Sequence, residues 1–484
     1  MKILFATSEA YPLVKTGGLG DVSRALPQAL KQHGEDVRIL LPGYPSVLSQ
    51  LSEIKEVCVL SPTHSFQESG RLVEALFPGS DLPLYVVESP GLYDRPGTPY
   101  LTPEGHDWPD NALRFGYLSH VAALICSGHL PMPWKPDIVH CNDWQTALVP
   151  VFLAHRGLAR FPSVLTIHNL AFQGNFSPDW VQKLGFPTSS FHMEDLEFYG
   201  HFSFLKAGLV HATRVTTVSP TYAREICSSD LGYGLQGLLS HREKDLMGIL
   251  NGIGPEWNPS VDPLLQAHFS VSDLRGKTRC KNALRKQLQL PVTPNVPVLG
   301  LVSRLTHQKG IDLLVDILDE LMNEPLQLVI LGSGDASMEQ TLREAQPLFP
   351  EKLSVTLGFD EALSHRIIAG SDLFLMPSRF EPCGLAQMYA MAYGSPPVVH
   401  KTGGLADTVE GFDFNGPAKN QSTGFVFEDL TPQAFMNAIR SGLSQFQNKN
   451  AWQTLRKNGM KKDFSWTPAG AIYTALYKEI ALPS

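Results

Sequence analysis

Long apolar runs are missing from this sequence. The longest tempting stretch, residues 117–134, is broken by two His, two Ser, a Gly and two Pro, so no membrane span is expected. Its first part reads as a buried amphipathic helix. The apolar run at the N-terminus, Ile3 to Ala6, stops at Thr7, too short for the core of a secretion signal. Cysteine is sparse, with six in 484 residues and no CxxC pair, which removes zinc-ribbon and thioredoxin readings. Such usage fits a reducing compartment, and a cytoplasmic protein is expected. Excess positive charge is also absent. Lys plus Arg number 39 against 47 Asp plus Glu, a net charge of −8. Nothing in that balance attracts nucleic acid, although a local basic pocket for phosphate is still allowed.

What is present is a globular chain, 43% hydrophobic, too long for one core. At about 150 residues per domain, two or three domains are expected. The opening reads strand (Ile3–Ala6), Gly-rich loop (Lys15–Gly20), helix, strand (Val37–Leu41), a βαβ start. Further strands are predicted at Asp137–His140, Val164–His168 and Val215–Val218, the last followed by a helix start at Ser219-Pro220. Residues 251–263, rich in Gly, Pro and Asn, read as a linker. Five βα units then follow, with strands at Val298–Val302, Gln327–Leu331, Leu353–Leu357, Leu373–Met376 and Val398–Val399. The first helix of this series is expected to run from Gly310 to Leu321. The class is α/β, with doubly wound domains over 1–250 and 264–465. Open parallel sheets bind ligands at the C-terminal ends of their strands, so the chemistry is expected on the loops there.

Lys15-Thr16-Gly17-Gly18-Leu19-Gly20-Asp21 follows the first strand. Paired glycines let backbone N–H groups approach an anion, and Lys15 adds a charge. A tight turn with a solvated Lys is the plain alternative. The loop is no dinucleotide fingerprint, since Ser23 stands where a Gly is needed. Gly276-Lys277-Thr278 suggests a P-loop, but Val271 replaces its first Gly. Arg304 and Lys309 flank a loop that opens a helix, a pairing suited to a diphosphate leaving group or simply an exposed basic loop. In Arg379-Phe380-Glu381-Pro382-Cys383-Gly384-Leu385, the carboxylate can bind sugar hydroxyls and the following N–H groups phosphate. Cys383 is either a thiolate at a helix start or a small packed residue. Lys401-Thr402-Gly403-Gly404-Leu405-Ala406-Asp407 echoes the first loop. Asp143, Trp144, His168 and Asn169 stand at strand ends and suit sugar recognition; no third ligand accompanies His140 and His168, so no metal is assigned. Phe359 either stacks on a base or fills the core.

Taken together, KTGGLGDV, HCNDW, TIHNLAFQG, SRLTHQKG, PSRFEPCGLAQMYAMAYG and KTGGLADTV resemble the bacterial glycogen synthases and plant starch synthases that use ADP-glucose. The resemblance covers essentially the whole chain. It implies a GT-B fold, two Rossmann-like domains facing across a cleft that holds the active site. The N-terminal domain would be the acceptor glucan side and the C-terminal domain the nucleotide-sugar side. Residues 466–484 would form a helix crossing back to the first domain. The implied reaction moves glucose from ADP-glucose to the non-reducing 4-hydroxyl of an α-1,4-glucan with retention, and needs neither metal nor cofactor. By similarity, Lys15, Gly17 and Gly18 contact the donor, and Arg304 and Lys309 neutralise its diphosphate. Glu381 binds the donor glucose beside Cys383, Gly384 and Leu385, while Thr402, Gly403 and Gly404 complete the phosphate cradle. Phe359 takes the base-stacking position. His168 lies near the reacting carbon and ranks as catalytic with Glu381, Arg304 and Lys309. Tyr100, Asp143, Trp144 and Asn169 are placed on the acceptor. Tyr389 stands where the wider retaining pattern has a second Glu. No protein partner is implied. A phosphorylase, a sugar-nucleotide epimerase and a non-catalytic glucan-binding protein are the rival readings.

Overall fold

The computed structural model describes residues 1–412 and 421–481. The chain divides into two compact units, Met1–Gly252 with Trp466–Ser484, and Ile253–Ser465. Residues 482–484, the tail of the expected last segment, lie outside the described residues.

The first unit holds β1 (Lys2–Ala6), β2 (Asp36–Pro42), β3 (Lys55–Leu60), β4 (Gly70–Leu76), β5 (Pro83–Glu88), β6 (Ile138–Asn142) and β7 (Ser163–Ile167). A small separate sheet is made by β8 (Asn175–Phe176), β9 (Glu197–Phe198) and β10 (His201–Ser203). β11 (Arg214–Thr217) and β12 (Leu246–Gly248) complete a nine-stranded sheet in the order β12-β11-β7-β6-β1-β2-β5-β4-β3. It is parallel except where β4 pairs antiparallel with β3 and β5. That meander was not predicted from sequence, because β3 to β5 lack helices between them to mark βα units. β1 is apolar on both faces, with Ile3 to Ala6 fully buried, as a strand covered on both sides must be. α1 (Gly18–Gln32) covers it with Val22, Leu26 and Leu30. The helix Trp466–Ala481 adds Ala469, Tyr473, Leu476 and Tyr477 to the same core. Its Tyr477 hydroxyl bonds to Nδ1 of the buried His140 at 2.6 Å. The helix Asn111–Ser127 is buried nearly all round rather than along one stripe, which corrects the amphipathic expectation. At the predicted helix start, Ser219 Oγ accepts the N–H of Tyr222 at 2.9 Å, a side-chain cap.

The second unit is one parallel sheet of β13 (Val298–Val302), β14 (Gln327–Gly332), β15 (Leu353–Leu357), β16 (Leu373–Met376), β17 (Pro397–His400) and β18 (Phe425–Phe427), ordered β15-β14-β13-β16-β17-β18. The helix expected over 310–321 is two, Ile311–Asp316 and Leu318–Asn323, broken at Ile317. The change of unit falls at Gly252/Ile253, inside the expected linker, and residues 253–263 are packed within the second unit. Trp257 stacks between His365 at 3.7 Å and Tyr389 at 3.6 Å. Asp262, 1% exposed, accepts from Tyr393 Oη at 2.6 Å and His365 Nδ1 at 2.7 Å. Gly276 lies inside the helix Arg275–Gln287, where a Cβ would meet His268 O at 2.0 Å. Its neighbour Lys277 is buried and donates to Ala369 O and Ser395 Oγ. That segment is packing, not a phosphate loop.

Candidate active site

In each sheet the strand order reverses beside the strand that begins it, between β1 and β6 and between β13 and β16. Loops leave the carboxyl ends of these strands in opposite directions and open a crevice. Most of the singled-out residues stand on those loops.

In the first unit, Glu9 follows β1, Asn142 ends β6, and His168 follows β7. The Asp143 backbone has φ +54°, a left-handed region that a non-Gly residue occupies only when its surroundings hold it. Asp143 Oδ1 accepts the His168 N–H at 2.7 Å. Burial pushes its carboxyl up to about 7, against the opposing pull of the His168 and Asn169 N–H groups. The His168 ring faces Asn142 Oδ1 at 2.9 Å. Because Asn142 donates its own amide to Ala6 O at 3.0 Å, the ring donates from Nε2 and keeps a lone pair on Nδ1. Burial pushes His168 down to about 3, so the ring is neutral. Asn169 Oδ1 accepts the Ala171 N–H at 3.1 Å, shaping its loop. Trp144 is a core residue rather than an open contact. It is 9% exposed and packs against Phe115, Phe176 and Phe204 at centroid distances of 4.9, 5.7 and 6.2 Å.

Lys15 pairs with Asp21 at 2.8 Å on the surface. The Thr16 and Gly17 N–H groups do not face open space; both donate to the Glu9 carboxylate. Glu9 also receives the Tyr100 hydroxyl, so the Thr16–Gly17 loop and Tyr100 converge there. Sequence reasoning missed Glu9. Its one available signal was a carboxylate standing directly past the first strand.

In the second unit, Lys309 pairs with Glu381 at 2.5 Å, and Ser378 Oγ donates to the same carboxylate oxygen at 3.0 Å. Both partners are mostly buried, at 16% and 10% side-chain exposure, so removing either would leave an uncompensated buried charge. Arg304 is exposed and reaches Gln308 Oε1 at 3.3 Å; among the described residues no carboxylate pairs with it. Arg379 is committed elsewhere, with both guanidinium nitrogens on Asp312 at 2.7 and 2.6 Å. Gly310 has φ +68°, and a Cβ there would meet Pro377 O at 2.0 Å. Only glycine lets the Arg304–Lys309 loop lie against the Pro377–Leu385 loop.

The two echoing loops differ. Gly403 and Gly404 are jammed against the Glu381 loop, where a Cβ would lie 2.0 Å from Glu381 O and 1.9 Å from Cys383 O. The Gly404 N–H donates to Glu381 O at 3.1 Å. The Gly404 N–H is thus committed to the Glu381 loop, and the close approach of both glycines holds that loop in place. Thr402 is buried beside them and precedes the helix Gly403–Thr408. At Gly17 and Gly18 a Cβ would meet nothing within 4 Å. Packing does not explain those two glycines. Cys383 is 6% exposed, so the packed reading holds for it. Gly384 has φ +69°, and Leu385 precedes the helix Ala386–Ala392. Phe359 is 86% exposed, which removes its core reading. Tyr389, at the position of the missing second Glu, stacks on Trp257. Among the described residues no cluster of His, Cys, Asp or Glu is placed to hold a metal ion, and no helix is long and apolar enough to cross a membrane.

Known proteins match along the whole chain. The family described as starch synthase catalytic domain matches residues 2–241, and that of glycosyl transferases group 1 matches residues 281–461. A glycogen synthase of Nitrosospira multiformis is 50% identical over 480 residues, covering 99% of this chain and 97% of that protein. One from Dechloromonas aromatica is 48% identical, covering 99% and 98%. The solved catalytic domain of starch synthase IV from Arabidopsis thaliana, bound to ADP and acarbose, matches with a TM-score of 0.88, 34% identity and 99% coverage of both chains. A sucrose-phosphate synthase from Thermosynechococcus elongatus, at 17% identity and a TM-score of 0.60, shares the fold.

Proposed function

Since this chain belongs to the glycogen and starch synthase family of GT-B glycosyltransferases, we propose that it transfers glucose from ADP-glucose to the non-reducing 4-hydroxyl of an α-1,4-glucan, with retention, and releases ADP. The observation that carries the reading is the Lys309–Glu381–Ser378 cluster at the switch point of the second sheet, with the Arg304 guanidinium exposed beside it. The names of the relatives support the glucan product, and the ADP in the starch synthase IV structure supports the nucleotide.

In this reading the bond between glucose C1 and the β-phosphate oxygen breaks while C1 bonds to the acceptor oxygen. The acceptor proton passes to the departing phosphate. Negative charge grows on that phosphate, and Lys309 and Arg304 are the fixed cations that receive it. Glu381 holds Lys309 in place and accepts from donor sugar hydroxyls. The neutral His168 ring offers a lone pair at Nδ1 to a sugar hydroxyl without adding positive charge at the reacting carbon. Tyr100, Asp143 and Asn169 serve the acceptor, and Phe359 offers an open face to the adenine. Lys15 exchanges Asp21 for donor phosphate. No metal, cofactor, membrane, nucleic acid or protein partner has a role. A cytoplasmic setting agrees with six cysteines outside any disulfide.

The test is nucleotide release from ADP-glucose and UDP-glucose, with and without glycogen. Release of ADP only with glycogen is expected. Glycogen binding without release would identify a binding protein. Isomerised sugar nucleotide without glucan would identify an epimerase, and a pyridoxal absorbance a phosphorylase.

A further inference from the structure

Glu9 is 3% exposed and stands directly past β1. Its Oε2 accepts the Thr16 N–H and, at 3.3 Å, the Gly17 N–H. Its Oε1 accepts the Thr16 hydroxyl at 2.6 Å and the Tyr100 hydroxyl. The Tyr100 hydroxyl also meets Ser8 Oγ at 2.9 Å. Every partner of the Glu9 side-chain oxygens is a donor, a set that a carboxylate, with two accepting oxygens, can satisfy. Burial and the neighbouring Glu9 charge hold the Tyr100 phenol well above its ordinary range, so it stays a donor.

The side chain that holds the Thr16 and Gly17 N–H groups is Glu9, while Gly17 O accepts the Gly20 N–H at 3.3 Å as α1 begins. Positions beside Gly17 and Gly18 are open, whereas the twin loop at Gly403 and Gly404 is wedged against backbone. One loop is wedged by packing, and the other is anchored through the Glu9 carboxylate. That carboxylate also holds an aromatic ring from a segment 91 residues away.

We propose that Glu9 is a positioning residue that couples the donor loop to the acceptor aromatic. With Glu9 shared, ordering Tyr100 and ordering Thr16–Gly17 are one event. A glucan seated on Tyr100 then fixes the loop that meets the donor, and the donor fixes Tyr100 by the same factor. The names of the two substrates rest on the function proposed above; the mechanical coupling does not.

Glu9→Gln tests it. Glutamine has one accepting oxygen and an amide group that only donates. Its oxygen can still accept the backbone N–H pair, but the Thr16 and Tyr100 hydroxyls then have to accept from its amide, which reverses both of those bonds and removes the charge. Without substrate, amide hydrogen exchange should speed up in both segments, 14–18 and 98–101. With substrates, KM should rise about tenfold for both ADP-glucose and glucan while kcat changes less, as expected for loss of a hydrogen bond to a charged group. Tyr100→Phe provides a second route should Glu9→Gln fold poorly, and it should loosen the amides of 14–18 although it touches none of them. Faster exchange in one segment only, a KM rise for one substrate only, or unchanged 14–18 amides in Tyr100→Phe would overturn the coupling. Because exchange is read without substrate, an enzyme that proved inactive on ADP-glucose would sink the functional reading and leave the coupling to be judged on exchange.

Discussion

Replacing Gly404 and Gly17 by alanine separates the twin KTGG loops. At Gly404 the new Cβ would sit 1.9 Å from Cys383 O, 2.5 Å from its carbonyl carbon and 2.6 Å from its Cα. All three are backbone atoms, so no side chain can turn away. The contact falls about 1.5 Å short of ordinary separation, and relief requires the 402–404 and 381–384 loops to part. Parting them breaks the Gly404 N–H bond to Glu381 O and moves the carboxylate that holds Lys309. Overpacking of this kind contributes about 1–3 kcal/mol, and the broken hydrogen bond about 1 kcal/mol more. We expect Gly404→Ala to destabilise the second unit by about 2–4 kcal/mol. At Gly17, φ is −156°, open to any residue, and no atom lies within 4 Å of the new Cβ. Its stability should stay within about 0.5 kcal/mol of wild type while affinity for ADP-glucose falls, because the methyl occupies the donor's approach. The assay is urea unfolding of the full chain, with hydrogen exchange to assign the loss to one unit, plus nucleotide titration. A wild-type urea midpoint for Gly404→Ala, or an equal loss for Gly17→Ala, would refute the reasoning.

Three further outcomes follow from the geometry. Lys309→Ala leaves Glu381 mostly buried without its cation. Turnover should fall by about 10²–10³, the scale of deleting one transition-state donor, and Lys309→Ala with Glu381→Ala should regain stability without regaining turnover; single-turnover rates at saturating donor check this. His140, between Tyr477 and Thr166 at 2.6 Å each, is pushed by burial down to about 3. The unfolded chain takes that proton first, near pH 6.5, so this stability is complete above about 6.5 and declines toward pH 3 by up to about 1.4 kcal/mol per unit; His140→Gln should make the acid limb of a stability–pH curve shallower. Phe359→Ala should leave stability unchanged and weaken ADP by about 1–3 kcal/mol, the range for a lost base stack; equal ADP affinity by calorimetry would remove Phe359 from the nucleotide site.

Much of the frame was legible because it is written in local periods. Short runs rich in apolar residues, ending in Gly-rich or polar loops, marked β1, β6, β7 and β13 to β17, and alternation with helical patterns implied parallel sheets. The singled-out loops stand at strand ends for the same reason. Other features had no local signature. Trp144 reads like a binding aromatic, and only packing against Phe115, Phe176 and Phe204 makes it core. Residues 253–263 read as a linker, and only the fold shows Trp257 stacked on His365 and Tyr389.

The sequence by itself therefore determined two α/β halves, their strand-end loops and, through motif resemblance, the family. Tertiary structure decided what each loop residue can still offer. Lys309 meets Glu381 across 72 residues, and Tyr100 meets Glu9 across 91. KTGGLGD and KTGGLAD differ by one residue, yet one is braced by a carboxylate beside open space and the other by backbone at touching distance. Periodicity and capping are set within a few residues, whereas crowding and charge pairing are set by whatever the fold brings alongside.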